Sequence, residues 1–225
     1  MPSAPAASPL IVTLDGPAGV GKSSIASRLA GELGIAFLDT GAMFRAAAYT
    51  LGEGSWDWTQ GILQQKLGDF EFTLRGSGKD TELLLNGQPL PGDIRSEQTG
   101  LWASQLAVVP SVRAYMKMAQ IFLGQTTSLV AEGRDMGTVV FPGAQFKFFL
   151  DADPAERARR RFLQLQAQGK PADLDAILAS ITQRDDQDRN RSIAPMKPAQ
   201  GAVVIDTTHI SEGEVLAQVL GTVRQ

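Results

Sequence analysis

The stretch LIVTLDGPAGVGKSSIASRL, residues 10–29, passes from an apolar run through a glycine-rich segment into helical spacing. Leu10 to Leu14 is short and apolar, as expected of a buried strand. After Lys22, apolar residues recur three and four positions apart on one face of a helix: Ile25, Ala26, Leu29, Ala30 and Leu33. The stretch therefore predicts a strand, a tight loop and a helix that begins near Lys22.

The loop satisfies the pattern of a Gly, four residues, a second Gly, a Lys and then Ser or Thr. Gly16 and Gly21 allow backbone angles that a Cβ would block, so successive N–H groups can point at one anion at the helix N-terminus. Lys22 can reach the outer phosphates of a nucleotide, and the Ser23 hydroxyl can complete the ligand shell of Mg²⁺. A purely structural turn needs neither Lys22 nor Ser23, so we expect a phosphate site.

Length and composition limit the class of protein. A chain of 225 residues favours one α/β domain with insertions, and a net charge of −3 argues against a nucleic-acid binder. The sequence contains no Cys, which excludes disulfides and thiolate zinc sites. Residues 1–9 have no basic start, and neither they nor any later run is apolar enough to cross a membrane. We expect a cytoplasmic monomer with a disordered tail over residues 1–9, and no membrane or nucleic-acid partner.

Four further apolar runs predict strands that alternate with helical segments. They begin at Ile35, Ser128, Phe146 and Val203. Helix starts are marked by Asp153 to Glu156 and by Ser211 to Glu214. This alternation predicts a five-stranded parallel sheet flanked by helices.

Residues 69–100 interrupt the alternation. From Asp69 to Leu90, apolar and polar residues alternate around a Gly-rich turn, which predicts an inserted β-hairpin. The stretch from Ser96 returns to helical spacing and is broken at Pro110. Four large side chains of this stretch are expected in the core: Trp102, Tyr115, Met116 and Met118.

Arginine outnumbers lysine by 14 to 7, and seven Arg lie between residues 157 and 191. Arg suits bidentate phosphate contacts. Arg157, Arg160 and Arg161 share one helix face. A second group mixes Arg184, Arg189 and Arg191 with Asp185, Asp186 and Asp188. Each group could be a solvated, ion-paired surface. The phosphate loop favours a phosphate-binding role for these arginines, because a transferring phosphoryl group needs cationic partners.

Two polar islands follow predicted strands, at the strand ends where ligands gather in open α/β sheets. They read LDTGAMFR, residues 38–45, and EGRDMGTVVFP, residues 132–142. The candidate binding residues within them are Arg45, Arg134 and Asp135. Asp39 and Thr40 are alternatively caps of the following helix.

These islands, together with TLDGPAGVGKS, FKFFLDAD and RDDQDRNRSIAP, resemble the bacterial cytidylate kinases from about residue 10 to residue 223. The insertion at residues 69–100 resembles the extended nucleoside-monophosphate-binding region of that family. The resemblance implies a P-loop NTPase-type fold with core segments 10–68, 101–156 and 192–225. It also implies transfer of the γ-phosphoryl group of ATP to CMP or dCMP, with Mg²⁺ as cofactor.

The resemblance further implies residue roles. The ATP phosphates would be held by Gly16, Pro17, Ala18, Gly19, Val20, Gly21, Lys22, Ser23 and Ser24, with Ser23 also on Mg²⁺. The cytidylate site would be lined by Thr40 and by Arg45, which would bind the CMP phosphate. The cytosine would be read by Ser104, Arg113 and Asp135, and the ribose would face Arg184 and Asp188. Phosphate would be bound by Arg134 and Arg191. An Arg-rich lid over residues 157–191 would contribute Arg157 and Arg161, which join Lys22, Arg134 and Arg191 as catalytic residues.

The sequence departs from the family pattern at two positions and leaves alternatives open. Phe44 stands where Tyr is usual, and Gln187 stands where Arg is frequent. The acceptor could be UMP, another nucleotide or shikimate. A nucleotide-dependent switch is a second alternative, although no Asn-Lys-x-Asp guanine-reading motif is present. The carboxylate that assists Mg²⁺ binding is open among Asp15, Asp39 and Glu132. No catalytic part is expected of the lone His209.

Overall fold

The computed structural model of the chain describes residues 8–224, so most of the expected tail over residues 1–9 lies outside the described residues. Eight strands occur within this range: β1 Ile11–Asp15, β2 Ala36–Asp39, β3 Phe72–Arg75, β4 Glu82–Leu85, β5 Gln88–Pro89, β6 Leu129–Gly133, β7 Phe146–Asp151 and β8 Val203–Asp206. Five of them form one sheet in the order β2-β6-β1-β7-β8, and every neighbouring pair is parallel. The predicted five-stranded parallel sheet is confirmed.

Helices cover both faces of this sheet. They are α1 Lys22–Leu33, α2 Thr40–Leu51, α3 Gln60–Gly68, α4 Glu97–Leu106, α5 Pro110–Thr126, α6 Pro154–Ala167, α7 Leu174–Asn190 and α8 Glu212–Val223. On β1, Ile11 joins a core with residues of α2 to α5, whereas Val12 and Leu14 join a second core with residues of α1 and α8. Successive side chains of a strand point to opposite faces, which produces the two layers. Within residues 8–224, no helix combines the length and apolar character needed to cross a bilayer.

Local signals set the helix boundaries. The Asp153 carboxylate accepts from two backbone N–H groups in the first turn of α6, and Ser211 with Glu214 forms a reciprocal capping box on α8. The break predicted at Pro110 is confirmed, since α4 ends at Leu106 and α5 begins at Pro110. These helix starts were predicted correctly because capping and proline effects are local.

The inserted segment differs from the predicted hairpin by one strand. β3, β4 and β5 form an antiparallel sheet, and the chain reverses between β4 and β5 at Asn86 and Gly87, both with positive φ. The Gly78 amide donates to the Ile35 carbonyl at 2.7 Å. A Cβ on Gly78 would lie 2.9 Å from Gly31 Cα, so glycine permits the close approach of this segment to α1.

The core expectation for α5 was wrong at one position. Met116 is fully buried, but Met118 is 65 % exposed. A step of two residues turns a helix by about 200°, which places these two side chains on opposite faces. Trp102 and Tyr115 are half-buried beside the core, and His209 is exposed.

Candidate functional site

The phosphate loop joins the end of β1 to the start of α1, as predicted. Gly16, Gly19 and Gly21 have φ values of 143°, 82° and 90°. A Cβ on Gly16 would lie 2.0 Å from the Leu150 carbonyl oxygen, so no other residue fits there without moving β7. The loop therefore has the backbone geometry that a phosphate cradle requires.

Lys22 and Ser23 face the interior of the loop and the end of β6. The Lys22 ammonium donates to the Pro17 carbonyl at 2.6 Å, and the Ser23 hydroxyl donates to Glu132 Oε1 at 2.6 Å. Burial lowers the pKa of Lys22, and the Arg134 cation lowers it further. Burial raises the pKa of Glu132, and the nearby Asp39 carboxylate adds to that effect. The loop thus places the hydroxyl of the exposed Ser23 against the buried Glu132 carboxylate, with the buried Lys22 cation nearby.

Ser24 points elsewhere. Its hydroxyl donates to Glu212 at the start of α8, in an exposed contact that also includes Arg28. The structure therefore does not bring the Ser24 side chain to the Lys22–Glu132 group, although its backbone lies in the first turn of α1.

The Asp15 carboxylate has a structural role in this site. It is 2 % exposed, and its two oxygens accept from the Met136 and Gly137 amides at 2.8 and 2.7 Å. Burial raises its pKa to about 6, against the lowering effect of the two amides. The carboxylate thereby holds the single π-helical turn Met136–Val140 against the end of β1. Of the three carboxylates considered for Mg²⁺, only Glu132 is bonded to Ser23 among the described residues.

A network of three arginines and two aspartates lies beside the loop. Asp135 accepts from Arg113 through one oxygen and from Arg191 through the other, at 3.2 Å in the second case. Asp188 lies 2.9 Å from Arg134 Nε and 3.5 Å from Arg191 Nη1. The structure thus brings together five predicted site residues from α5, the end of β6, α7 and the segment after it.

Arg184 adds further positive charge near this network. Burial and the nearby Arg134 cation lower its pKa to about 10. In the part of the chain that the structure describes, no carboxylate oxygen lies within 4.0 Å of its guanidinium. Arg184 is therefore a partly buried donor that no carboxylate of the described residues contacts.

Two other predicted residues, Thr40 and Arg45, donate hydrogen bonds to backbone carbonyls. The Thr40 hydroxyl donates to the Glu132 carbonyl at 2.6 Å, while Asp39 rather than Thr40 caps α2. Arg45 donates to the carbonyls of Ile94 and Ser96 at 3.2 and 3.0 Å.

Ser104 donates to Gln187 at 3.4 Å, a long bond on the rim of the site. Its hydroxyl remains close to the cavity that Gln187 lines.

Arg157 requires a correction, because it does not lie on an open lid. Its side chain is 0 % exposed, and its guanidinium lies 2.5 Å from Asp185 Oδ2. It also donates to the carbonyls of Ala18 and Ala152, both at 3.0 Å. Since α6 begins directly after β7, its first turn packs behind the phosphate loop, a tertiary contact that helix spacing does not reveal.

Arg161, one turn further along α6, remains near the surface. It donates to Gln164 at 2.8 Å and lies 3.5 Å from Glu97 on α4. Arg160 instead donates to the Thr207 carbonyl at 2.6 Å. The three arginines that share one helix face in sequence thus have three different environments.

Two adjoining cavities open beside the Arg–Asp network. The first measures about 320 Å³ and is lined by Val108, Arg113, Gln187, Asn190, Arg191, Ser192 and Ile193. The second measures about 200 Å³, and Phe44, Arg113, Gln120 and Asp135 are among its walls. Arg113 lines both cavities, and its guanidinium carbon lies 5.9 Å from the centre of the Phe44 ring. The network therefore borders a space that a planar ring can enter.

A sequence model of the family described as cytidylate kinase matches residues 12–225. The chain belongs to the cytidylate kinase family. The cytidylate kinase of Maridesulfovibrio salexigens is 59 % identical, over 90 % of this chain and 91 % of its own. That of Oleidesulfovibrio alaskensis is 50 % identical, over 96 % and 98 %. The predicted family and the predicted kinase activity are confirmed.

A comparison of structures extends only to the fold. A solved structure of an uncharacterized protein from Eubacterium ventriosum has a TM-score of 0.53 and 10 % identity, and the match covers 96 % of this chain and 98 % of that chain. The roles of individual site residues stay predictions in this cytidylate kinase family member.

Gln120 and the ion pair of Asp185 with Arg157 were not predicted from sequence. Asp185 lies in RDDQDRNR, but its pairing with Arg157 joins two helices and has no sequence signal. Gln120 follows Arg113 by seven residues, and that spacing, two helical turns, could have indicated a shared face.

Proposed function

We propose that the chain transfers the γ-phosphoryl group of ATP to CMP or dCMP, giving ADP and CDP or dCDP. The observation that carries this proposal is the Ser23–Glu132 hydrogen bond of 2.6 Å. It joins the phosphate loop to the end of β6, and the next residues after that strand are Arg134 and Asp135 of the Arg–Asp network. A donor phosphate on the loop and an acceptor beside the network would therefore be neighbours.

Charge neutralisation is the main contribution of the protein to this reaction. The nucleophile is an oxygen of the CMP phosphate, which is anionic at neutral pH, so no catalytic base is required. Lys22 would bind the outer phosphates of ATP. Arg134 and Arg191 would offset the repulsion between the two phosphates, with Arg45 on the acceptor phosphate. Arg184 and Asp188 would contact the ribose.

The residues at the loop fit a magnesium ion. Mg²⁺ takes one or two oxygen ligands from protein and keeps the others as water or phosphate oxygens. The Ser23 hydroxyl and the Glu132 carboxylate provide such oxygens beside the loop, whereas both Asp15 oxygens accept from backbone amides. We assign the ion to Ser23 and Glu132 because Glu132, unlike Asp15, contacts the Ser23 hydroxyl among the described residues. When bound, Mg²⁺ neutralises charge on the β- and γ-phosphate oxygens.

Cytosine selection follows from hydrogen-bond chemistry. Asp135 can accept from the 4-amino group of cytosine, and Arg113 can donate to ring nitrogen 3. A carboxylate has about four acceptor sites, so Asp135 retains capacity beyond its bonds to Arg113 and Arg191. Uracil presents the reverse donor–acceptor pattern and would leave these buried groups unpaired. Ser104 would contact the same base from the rim.

The segment 157–191 is proposed as the lid over ATP, with its parts assigned differently from the sequence expectation. Arg157 supports the phosphate loop from behind. Arg161 is the lid arginine, since its contacts lie at the surface. The proposal describes a cytoplasmic monomer whose partners are small nucleotides.

An acceptor panel tests the proposal. ADP release from Mg-ATP is measured by a coupled assay with CMP, dCMP, UMP, AMP, dTMP or shikimate, beside a control without acceptor. Strong release with CMP and dCMP alone is the expected result. A different preferred acceptor would overturn Asp135 and Arg113 as cytosine readers, and acceptor-independent slow hydrolysis would favour a nucleotide switch.

A further inference from the structure

Gln120, on α5, is a buried amide with an unpaired donor. Its side chain is 2 % exposed, and its Nε2 has no hydrogen-bond acceptor among residues 8–224. An unpaired buried donor destabilises a folded protein. A side chain retained at such a position is therefore suited to a partner outside the chain.

The helix directs Gln120 into the second cavity beside the Arg–Asp network. Gln120 lies seven residues after Arg113 and four after Met116, so the three share one face of α5. All three line the cavity of about 200 Å³, together with Phe44 and Asp135. Its other walls are mainly apolar: Val139, Val140, Ile193 and Ala194. Apolar walls with a few polar groups are typical of small-molecule sites.

The other buried polar groups of this cavity have protein partners. Asp135 accepts from Arg113 and Arg191, and Arg113 also donates to the Ala107 carbonyl at 3.1 Å. Among the described residues that line the cavity, the buried side-chain donor without a protein acceptor belongs to Gln120. The fold itself therefore leaves the hydrogen-bonding capacity of this wall residue unused.

We propose that the Gln120 side-chain amide donates a hydrogen bond to the 2-carbonyl oxygen of the pyrimidine acceptor. The inference rests on the proposed function, in which Asp135 accepts from the 4-amino group and Arg113 donates to ring nitrogen 3. The 2-carbonyl oxygen is the third polar atom on that edge of cytosine. Gln120 gives it a neutral donor, and each polar atom of the edge then has its own protein partner.

This assignment predicts that Gln120 affects how well the enzyme uses a pyrimidine acceptor but not whether it prefers CMP or UMP. Cytosine and uracil both carry the 2-carbonyl oxygen, so Gln120 contributes equally to both bases. Loss of its amide lowers kcat/KM for CMP and leaves the preference for CMP over UMP unchanged. Changes at Asp135, by contrast, alter that preference.

The test combines a protein change with a substrate change. Wild type, Gln120→Met and Gln120→Glu are assayed with CMP and with 2-thio-CMP, whose sulfur is a weak acceptor. Gln125→Met, an exposed change on the same helix, is the matched control. Wild type and the control are expected to favour CMP over 2-thio-CMP about tenfold in kcat/KM, the value of one hydrogen bond of typical strength. In both Gln120 variants the ratio is expected to fall to about one, with the KM for ATP changed less than about twofold.

Thermal unfolding separates this role from packing. Gln120→Met removes the unpaired donor, so its unfolding midpoint is expected to equal or exceed that of wild type. An unchanged ratio in the Gln120 variants, or a wild type that does not distinguish the two acceptors, would overturn the inference. A lowered unfolding midpoint in the Gln120 variants, with equal losses of kcat/KM for CMP, 2-thio-CMP and ATP, would also overturn it. Absence of CMP turnover in wild type would instead remove the proposed function itself.

Discussion

Replacement of Asp185 by Asn tests the buried ion pair that supports the phosphate loop. The change keeps the shape of the side chain and leaves the fully buried Arg157 guanidinium opposite a neutral amide. Asp185 Oδ1 has no hydrogen-bond partner within residues 8–224, so an NH₂ group in its place breaks no other hydrogen bond. Loss of one partner of a buried pair costs about 3–5 kcal/mol. The Asn oxygen still accepts from Arg157, so we expect a value near the lower limit, about 3 kcal/mol.

The expected change is large enough for a thermal measurement. In a domain of this size, 1 kcal/mol shifts the unfolding midpoint by roughly 2–4 °C, so Asp185→Asn is expected to unfold about 6–12 °C below wild type. Asp186→Asn is the matched control, because Asp186 is the exposed neighbour and has no ion pair among the described residues. The midpoint of the control is expected to lie within about 2 °C of wild type.

Enzyme kinetics provide the second measurement on Asp185→Asn. Arg157 donates to the Ala18 carbonyl in the phosphate loop, so a displaced guanidinium loosens the ATP site first. We expect the KM for ATP to rise more than the KM for CMP. If Asp185→Asn had the same unfolding midpoint as Asp186→Asn and an unchanged KM for ATP, the Arg157–Asp185 ion pair would not support the loop. That result would refute the reasoning.

Three further changes have outcomes that follow from the site. Lys22→Ala is expected to lower kcat roughly 100-fold or more in the coupled ADP assay, and near-normal turnover would contradict the role of the loop. In Gly16→Ala the new Cβ would lie 2.0 Å from the Leu150 carbonyl oxygen, so a strongly lowered unfolding midpoint is expected, and an unchanged one would disprove the clash. Burial raises the pKa of Glu132 above its ordinary 4.5, so the folded protein keeps the Glu132 carboxyl proton to a higher pH than the unfolded chain does. The free energy of unfolding therefore falls as the pH rises above about 4.5. In urea unfolding between pH 5 and 7, the free energy of unfolding of Glu132→Gln is expected to fall less steeply with pH than that of wild type. An equal slope for the two proteins would show that other groups cause the pH dependence.

The parallel sheet could be predicted because its signals are local. Each of its strands is a short apolar run, and four of the five are followed by an α-helix, as β1 and α1 show, whereas β6 is followed only by the π-helical turn Met136–Val140. The sheet order was not accessible, since nothing within the β1 run indicates that β6 and β7 lie on its two sides. Strand β5 was missed because its two residues, Gln88 and Pro89, are exposed and carry no alternation.

From sequence, candidate site residues could be located at strand ends, but their charge pairings could not. Parallel strands end at one edge of the sheet, so the sequence could place Lys22 and Arg134 near each other. Charge partners depend on side-chain directions across different elements. Asp135 is an example, since its two arginines come from α5 and from the segment after α7. No spacing in sequence relates those three residues.

The two arginines that the family resemblance places in a lid, Arg157 and Arg161, differ in how firmly the fold holds them. A Cβ on Gly19 would lie 3.2 Å from Arg157 Cβ, so the loop and the first turn of α6 are in close contact, and Arg157 is fixed by three groups behind the loop. Arg161 is 38 % exposed in its side chain, and its Glu97 partner is 78 % exposed. Exposed ion pairs contribute about 0–1 kcal/mol, so this contact can break at little cost. Arg161 is therefore free to turn toward a bound nucleotide, whereas Arg157 can act only through the loop it supports.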